Sequence, residues 1–456
     1  SKLYLNLDAN LMSQANAGKT YYANENESGL ALTTNPNYTL ATAQLPEGDE
    51  ALDCTYNYKV TATVTTPITD NSDSDVKVVV GDKTMTLKEL TTAGTNGIIV
   101  SGKIKNLTKG QSVSIPLTSS VTNTATTQDK LVGNSYTIKI EPYTSGDTKA
   151  FSCKLAFKWD NSKSLADNLV ASGELWQSGL EGDGYRYTGS GAVGTSTNPN
   201  NFICFGTNNK SECTANQDKY MYRVLGVFSD ANGENYVKLI KYKQLKSTWN
   251  DTMADVNWED STLYASLNGS GFLTNTTYDY LQNTEWSNRI ENWTWSAVNT
   301  KTWDGSNGPD YYRGLTPSQI YLHEMNRSTK TSTVGEWTNP TAKIGLMYAS
   351  DYTLSLGSSA LAITGGTYDN RATLKTGWMH QSNNDTTKSI YEWTLSRCGN
   401  NSGHFNAWIV IDGGDVLDID GGDYSFGARP VFYLTSDIKI TADGDGSLEN
   451  PFIISE

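Results

Sequence analysis

Residues 391–434 read YEWTLSRCGNNSGHFNAWIVIDGGDVLDIDGGDYSFGARPVFYL, and the rest of the second half is read outward from them. From residue 404 to 411 the side chains alternate, with Phe405, Ala407, Ile409 and Ile411 on one side and His404, Asn406, Trp408 and Val410 on the other. Period two marks a strand with one buried face. The opposite face carries groups that stack and hydrogen-bond, so the sequence predicts a display surface at His404, Asn406 and Trp408. Gly413, Gly414, Gly421, Gly422 and Gly427 then turn the backbone before Arg429 and Pro430 lead into an apolar run at 431–434.

The order Trp393-Thr394-Leu395-Ser396, a polar Asn/Gly/Asp-rich segment, then Gly427, Arg429, Pro430 and Val431 resembles the end of a C-type-lectin-like domain of bacterial and phage surface proteins. That fold is akin to the formylglycine-generating enzymes and includes the variable proteins of diversity-generating retroelements. The resemblance implies that the segment from Asn400 to Tyr424 forms a ligand-binding surface. Its expected contact residues are His404, Asn406, Trp408, Asp412, Asp415, Asp418, Asp420 and Tyr424.

A chain of 456 residues is too long for one ordinary core, so two or three domains are expected. The net charge of −14 argues against nucleic acid and anionic membrane surfaces, which recruit basic faces. No apolar run reaches the roughly 20 residues of a membrane span, so no membrane insertion of the mature chain is expected. No signal peptide is visible, and a start at Ser1 reads as the product of its removal. The Thr, Ser, Asn, Gly and Tyr-rich composition points to an extracellular, cell-surface location. Cys204 and Cys213 bracket a short polar turn that suits a small-loop disulfide, and Cys54 and Cys153 lie on two strand-like runs, although sequence leaves the connectivity open. Cys398 is left over; a zinc site with His404 lacks a further pair at ligand spacing.

All twelve Trp and all three His lie at or beyond Trp159, a compositional break that predicts a domain boundary. Period-two runs at Tyr56, Tyr58, Val60, Ala62 and Val64, at 76–80, and at Tyr136, Ile138 and Ile140 predict an antiparallel β-sandwich of jelly-roll or immunoglobulin type over residues 1–160. A last run places Phe151, Cys153, Leu155, Phe157 and Trp159 on one face. The opening 3–7 strand, the Tyr-Lys-Val-Thr-Ala-Thr-Val run and the segment 122–131 resemble camelysin and TasA-type fibre subunits. That resemblance implies assembly with neighbouring copies through a donated first strand carrying Leu3, Leu5 and Leu7. Residues 161–174 are read as a linker holding a short helix, and 175–456 as the C-type-lectin-like α+β domain. In it a hairpin is expected from 222–228 to 236–240, then a helix capped by Ser261.

Trp286, Trp293, Trp295, Trp303 and Trp337 are read as core filling rather than as carbohydrate platforms. The segment 343–348 and the Ser-Asp-Tyr after it resemble the middle motif of the same surface family and are read as structural. The carboxyl end shows no sorting signal, so covalent anchoring there is not expected. Asp412, Asp415, Asp418, Asp420 and Asp423 lie within twelve residues, but Gly422 breaks the EF-hand pattern, so turn chemistry is favoured over calcium and no cofactor is expected. Formylglycine generation uses a cysteine pair near the carboxyl end, where only Cys398 stands, and His323, His380 and His404 sit in no hydrolase motif. The expected function is a surface adhesin or extracellular fibre subunit that binds a glycan or protein, not an enzyme. The competing class is a secreted carbohydrate-active enzyme or its accessory module.

Overall fold

The computed structural model describes the chain apart from residues 1–3, 8–19, 27–28, 33–36, 43–50, 82, 109–111, 123–127, 132, 147–149, 190–197, 252–256, 271, 273–275, 298, 301–312, 326–337, 381–390, 399–405, 421–422, 442–443 and 456. The protein is mostly β, 34% strand against 25% helix, and its sheets are chiefly antiparallel. Contacts divide it into two compact units, Ser1–Lys158 and Trp159–Glu456.

In the first unit the alternation of Leu52–Val64 becomes burial. Cys54, Tyr56, Tyr58, Val60 and Ala62 point inward while their neighbours stay partly exposed. The strand pairs antiparallel with Ser135–Pro142, Ile98–Leu107 and Phe151–Leu155. Val76, Val78 and Val80 of a second strand, with Leu87 and Leu90 of the helix Leu87–Ala93, join Tyr136, Ile138 and Ile140 in one core. That helix starts at a reciprocal cap in which Thr86 accepts from the Glu89 N–H and Glu89 accepts from Thr86. Tyr4–Leu7 lies between two strands of its own chain, parallel to Ser135–Pro142 and antiparallel to Thr20–Asn26. Leu3 lies outside the described residues, as do the side chains of Leu5 and Leu7. The last run does not keep one apolar face inward: Leu155 is 55% exposed on a strand that, among the described residues, pairs along one side, and Trp159 packs in the second unit against Phe452. A disulfide joins Cys54 to Cys153.

The second unit opens with the short helix expected in residues 161–174, here docked in the core rather than part of a linker. Leu165–Ser172 is capped by the Ser164 hydroxyl and buries Leu165, Ala166 and Leu169 in this unit's core. An apolar stripe at i, i+1 and i+4 is a packing face, which corrects the linker assignment. Met221–Ser229 and Asn235–Lys241 form the expected hairpin, with Phe228 opposite Tyr236. Val431–Tyr433 continues that sheet beyond Asn235–Lys241, while Phe202–Cys204 pairs along the other side of Met221–Ser229 and with Phe452–Ile453. The Cys204–Cys213 disulfide closes the turn after Phe202–Cys204. A second sheet orders Leu245–Ser247, Phe426–Ala428, Glu392–Cys398, Asn406–Val410 and Val416–Asp420. Trp286 and Trp295 are buried, and half-buried Trp293 stacks on Tyr433 at 3.8 Å, all core roles; Trp303 and Trp337 lie outside the described residues.

Charges run through this core. Arg429 of the Gly-x-Arg-Pro motif grips Glu392 with Nε–Oε1 at 2.5 Å and Nη2–Oε2 at 3.0 Å, and gives Nη2 to the Met379 carbonyl at 2.9 Å. Asp351 of the Ser-Asp-Tyr motif pairs with Arg186 at 2.8 Å and Lys238 at 2.6 Å. Both motifs are internal.

Candidate ligand-binding face

The strand Asn406–Val410 is flanked on both edges, by Glu392–Cys398 and by Val416–Asp420, and its two faces are both covered: Ala407, Trp408, Ile409 and Val410 are 0–3% exposed. Trp408 is therefore core, which corrects its expected display. Alternation marks one buried face only when the other meets solvent, and here protein packs against both. His404 and Phe405 lie outside the described residues, as do the side chains of Asn406, Asp418 and Asp420. Tyr424 is 50% exposed and stacks on Phe426 at 5.6 Å.

Asp412 and Asp415 belong to the turn between those strands, a strand's length along the chain from Tyr424. The turn is pressed onto the segment 371–375. Gly414 has φ +96°, and a Cβ there would stand 2.5 Å from the Arg371 carbonyl oxygen, so only glycine fits. A third loop closes the group. Gly366 passes so near Arg313 that a Cβ would overlap its carbonyl oxygen, and the Tyr368 N–H donates to that oxygen at 3.2 Å. These three loops bring together Arg313, Tyr368, Arg371, Asp412 and Asp415.

Tyr368 is 45% exposed, and the guanidinium groups of Arg313 and Arg371 lie 4.7 and 4.9 Å from its ring centroid. Stacking of a guanidinium on an aromatic ring holds its donors in a fixed orientation. Beside them Asp415 is out of reach of solvent. Its nearest cation is Arg313, Nε to Oδ2 3.7 Å, and no other residue offers either oxygen a hydrogen bond among the described residues. Burial raises the Asp415 carboxyl above the usual carboxylate range, with Arg313 and Arg371 opposing it and Asp412 adding to it. Behind the turn the Tyr352 hydroxyl donates to the Gly414 carbonyl at 2.8 Å and lies 3.2 Å from His380 Nδ1. Burial, with Lys375 and Arg429 nearby, lowers His380 to about 4, so its ring is neutral at pH 7.

Asp412 and Tyr424 are thus displayed, Asp415 supports the face, and Trp408 is withdrawn from it. Arg313, Tyr368 and Arg371 went unread in the sequence, where the one signal was a tyrosine in a Gly-Gly-Thr-Tyr-Asp-Asn turn with an arginine following. No group of three or more His, Cys, Asp or Glu is placed to hold a metal among the described residues. A cavity of about 220 Å³, lined by Leu245, Leu263, Leu267 and Phe272 together with Lys246 and Ser266, is of mixed polarity and below the size of ordinary ligand pockets. Comparison of the chain with protein-family models, curated proteins and solved structures finds no match.

Proposed function

We propose that this is an extracellular binding protein of the adhesin or fibre-subunit kind, whose second unit is a C-type-lectin-like domain. Its contact surface is the Arg313–Tyr368–Arg371 face, and its ligand presents carboxylates or similar anionic groups on a glycan or protein. The observation that carries this is an exposed Tyr368 with two guanidinium groups close over its ring, on a chain whose net charge is −14. Fixed arginine forks favour planar anions, because less side-chain freedom is lost when the ligand docks. Two disulfides support an oxidising, extracellular setting.

In this proposal the first unit is a β-sandwich used for assembly. Tyr4–Leu7 supports it: it forms the parallel pair of this unit among the described residues, with a strand far along the chain. Such a place in the sheet is one that a neighbour's first strand fills equally well. Deleting residues 1–12 abolishes fibres in electron micrographs if copies exchange that strand; a full-length protein that sediments as a monomer at high concentration rules exchange out. Incubating the secreted protein with arrays of neutral and carboxylate-bearing glycans and of surface proteins, with product analysis alongside, tests the binding function. Retention without turnover supports it, and released sugar products establish the enzyme class instead.

A further inference from the structure

Away from that face, the core of the second unit holds a lysine and a carboxylate in a dry cage. Lys238 lies on Asn235–Lys241 and Asp351 on the helix Ala349–Leu354, 113 residues apart. Their side chains are each 1% exposed, with Nζ 2.6 Å from Oδ2. Rings of Tyr348, Phe228 and Tyr433 surround the ammonium, their centroids 4.7, 5.3 and 5.5 Å away. The other oxygen, Oδ1, accepts from Arg186 Nη1 at 2.8 Å, and Arg186 is itself paired with Asp183. Glu324, wholly buried, accepts from Ser396 Oγ at 2.9 Å and from the N–H of Ser350, the residue before Asp351.

We propose that Lys238 and Asp351 condense to an isopeptide bond, with Arg186 stabilising the oxyanion and Glu324 carrying the proton. Because the carboxyl carbon is one bond from Oδ2, the amine stands at about the 3–3.5 Å near-attack separation. The ammonium first passes a proton to Oδ2 across their hydrogen bond, leaving a neutral amine and a carboxylic acid. Burial lowers Lys238 by more than Asp351 restores, while Lys238 and Arg186 hold the Asp351 carboxyl below its usual value, so the exchanged pair is a minor species from which the reaction proceeds. The nitrogen lone pair then forms the N–C bond, and negative charge grows on Oδ1 facing Arg186. Glu324 takes a second proton from nitrogen and delivers it to Oδ2, the C–Oδ2 bond breaks, and water leaves. Ammonium plus carboxylate has become amide plus water, with no oxidant or cofactor. Burial pushes Glu324 up to about 7, against the hydrogen bonds from Ser350 and Ser396, so near pH 7 it both accepts and donates a proton. The product also removes two buried charges, while Arg186 keeps Asp183 as its counter-ion.

The full chain, with disulfides reduced, is weighed intact and then digested. The expected mass is one water below that of the sequence, with a branched peptide joining the Lys238 and Asp351 segments. Lys238→Arg and Asp351→Ala restore the full mass, and Glu324→Gln leaves most of the chain unbonded. Asp351→Asn distinguishes the chemistry, since its condensation releases ammonia instead. Wild-type protein at its full sequence mass, with the linear Lys238 peptide recovered quantitatively, overturns the proposal without needing any variant to fold. A Glu324→Gln chain that loses water as completely as wild type removes Glu324 from the mechanism.

Discussion

Replacing Trp408 by Ala separates core from display. The indole is 1% exposed, in a strand with both faces covered. An aromatic side chain of this kind buries about 150–250 Å², worth roughly 4–6 kcal/mol at about 25 cal/mol per Å². Relaxation around the cavity leaves about 3–5 kcal/mol as the expected loss for Trp→Ala. At about 2 °C per kcal/mol for a unit of this size, the melting midpoint falls by roughly 6–10 °C. Tyr368→Ala, at a ring 45% exposed, shifts it by no more than about 2 °C at the same rate. Near-ultraviolet circular dichroism melts of both variants give the comparison. A Trp408→Ala protein that melts with wild type yet loses its ligand means that the strand presents Trp408 to solvent, and the two-sided packing is wrong.

Three further outcomes follow from the same structure. Glu392→Gln strips the buried Arg429 of its bidentate partner and costs about 3–5 kcal/mol in urea melts, whereas no change means the pair is not internal. His380 titrates near 4 in the fold against 6.5 unfolded, so the unfolded chain binds more protons between those values and stability falls as pH drops from 6.5 toward 4, by roughly 3 kcal/mol. Glu324, raised from 4.5 to about 7, acts oppositely, losing stability as pH rises through 7, so the His380 contribution is read as the difference between wild type and His380→Asn; a constant difference across pH 4–7 refutes it. Opening the Cys54–Cys153 bridge, with its 99-residue separation, costs about 4.7 kcal/mol, against about 2.7 kcal/mol for the 9-residue separation of Cys204–Cys213. Paired Cys→Ser variants ranking the other way contradict that ordering.

Much of the fold was legible where alternation marks one buried face or where apolar runs flank a turn signal. Leu52–Val64 alternates in sequence and in burial, and the hairpin of Met221–Ser229 with Asn235–Lys241 follows from its two apolar runs and the Asn/Gly turn. Facing was misread where a strand that looks alternating is packed on both sides: Trp408 alternates with Ala407 and Ile409 although all three are core. At 161–174 the short helix was read but not its docking, because eight residues of polar and apolar mixture look alike in a connector and in a docked helix. The Gly-x-Arg-Pro and Ser-Asp-Tyr motifs looked like surface-family signatures, and their charged members Arg429 and Asp351 work inside the core. The candidate face was illegible for a different reason. Arg313, Tyr368, Arg371 and Asp415 come from three loops, and only the backbone contacts at Gly366 and Gly414 bring them together.

Retention on carboxylate-bearing and neutral glycans, measured for wild type and for the Tyr368→Ala/Arg371→Ala variant at two salt concentrations, tests the binding face most directly. Polygalacturonate and an uncharged galactan serve as the probes. Wild type is expected to be held by polygalacturonate, added salt to weaken the hold, and the variant to bind at least tenfold more weakly, about 1.4 kcal/mol, while melting with wild type. A variant that is retained as strongly as wild type, or a wild type that holds both polymers equally or neither, contradicts the assignment of this face.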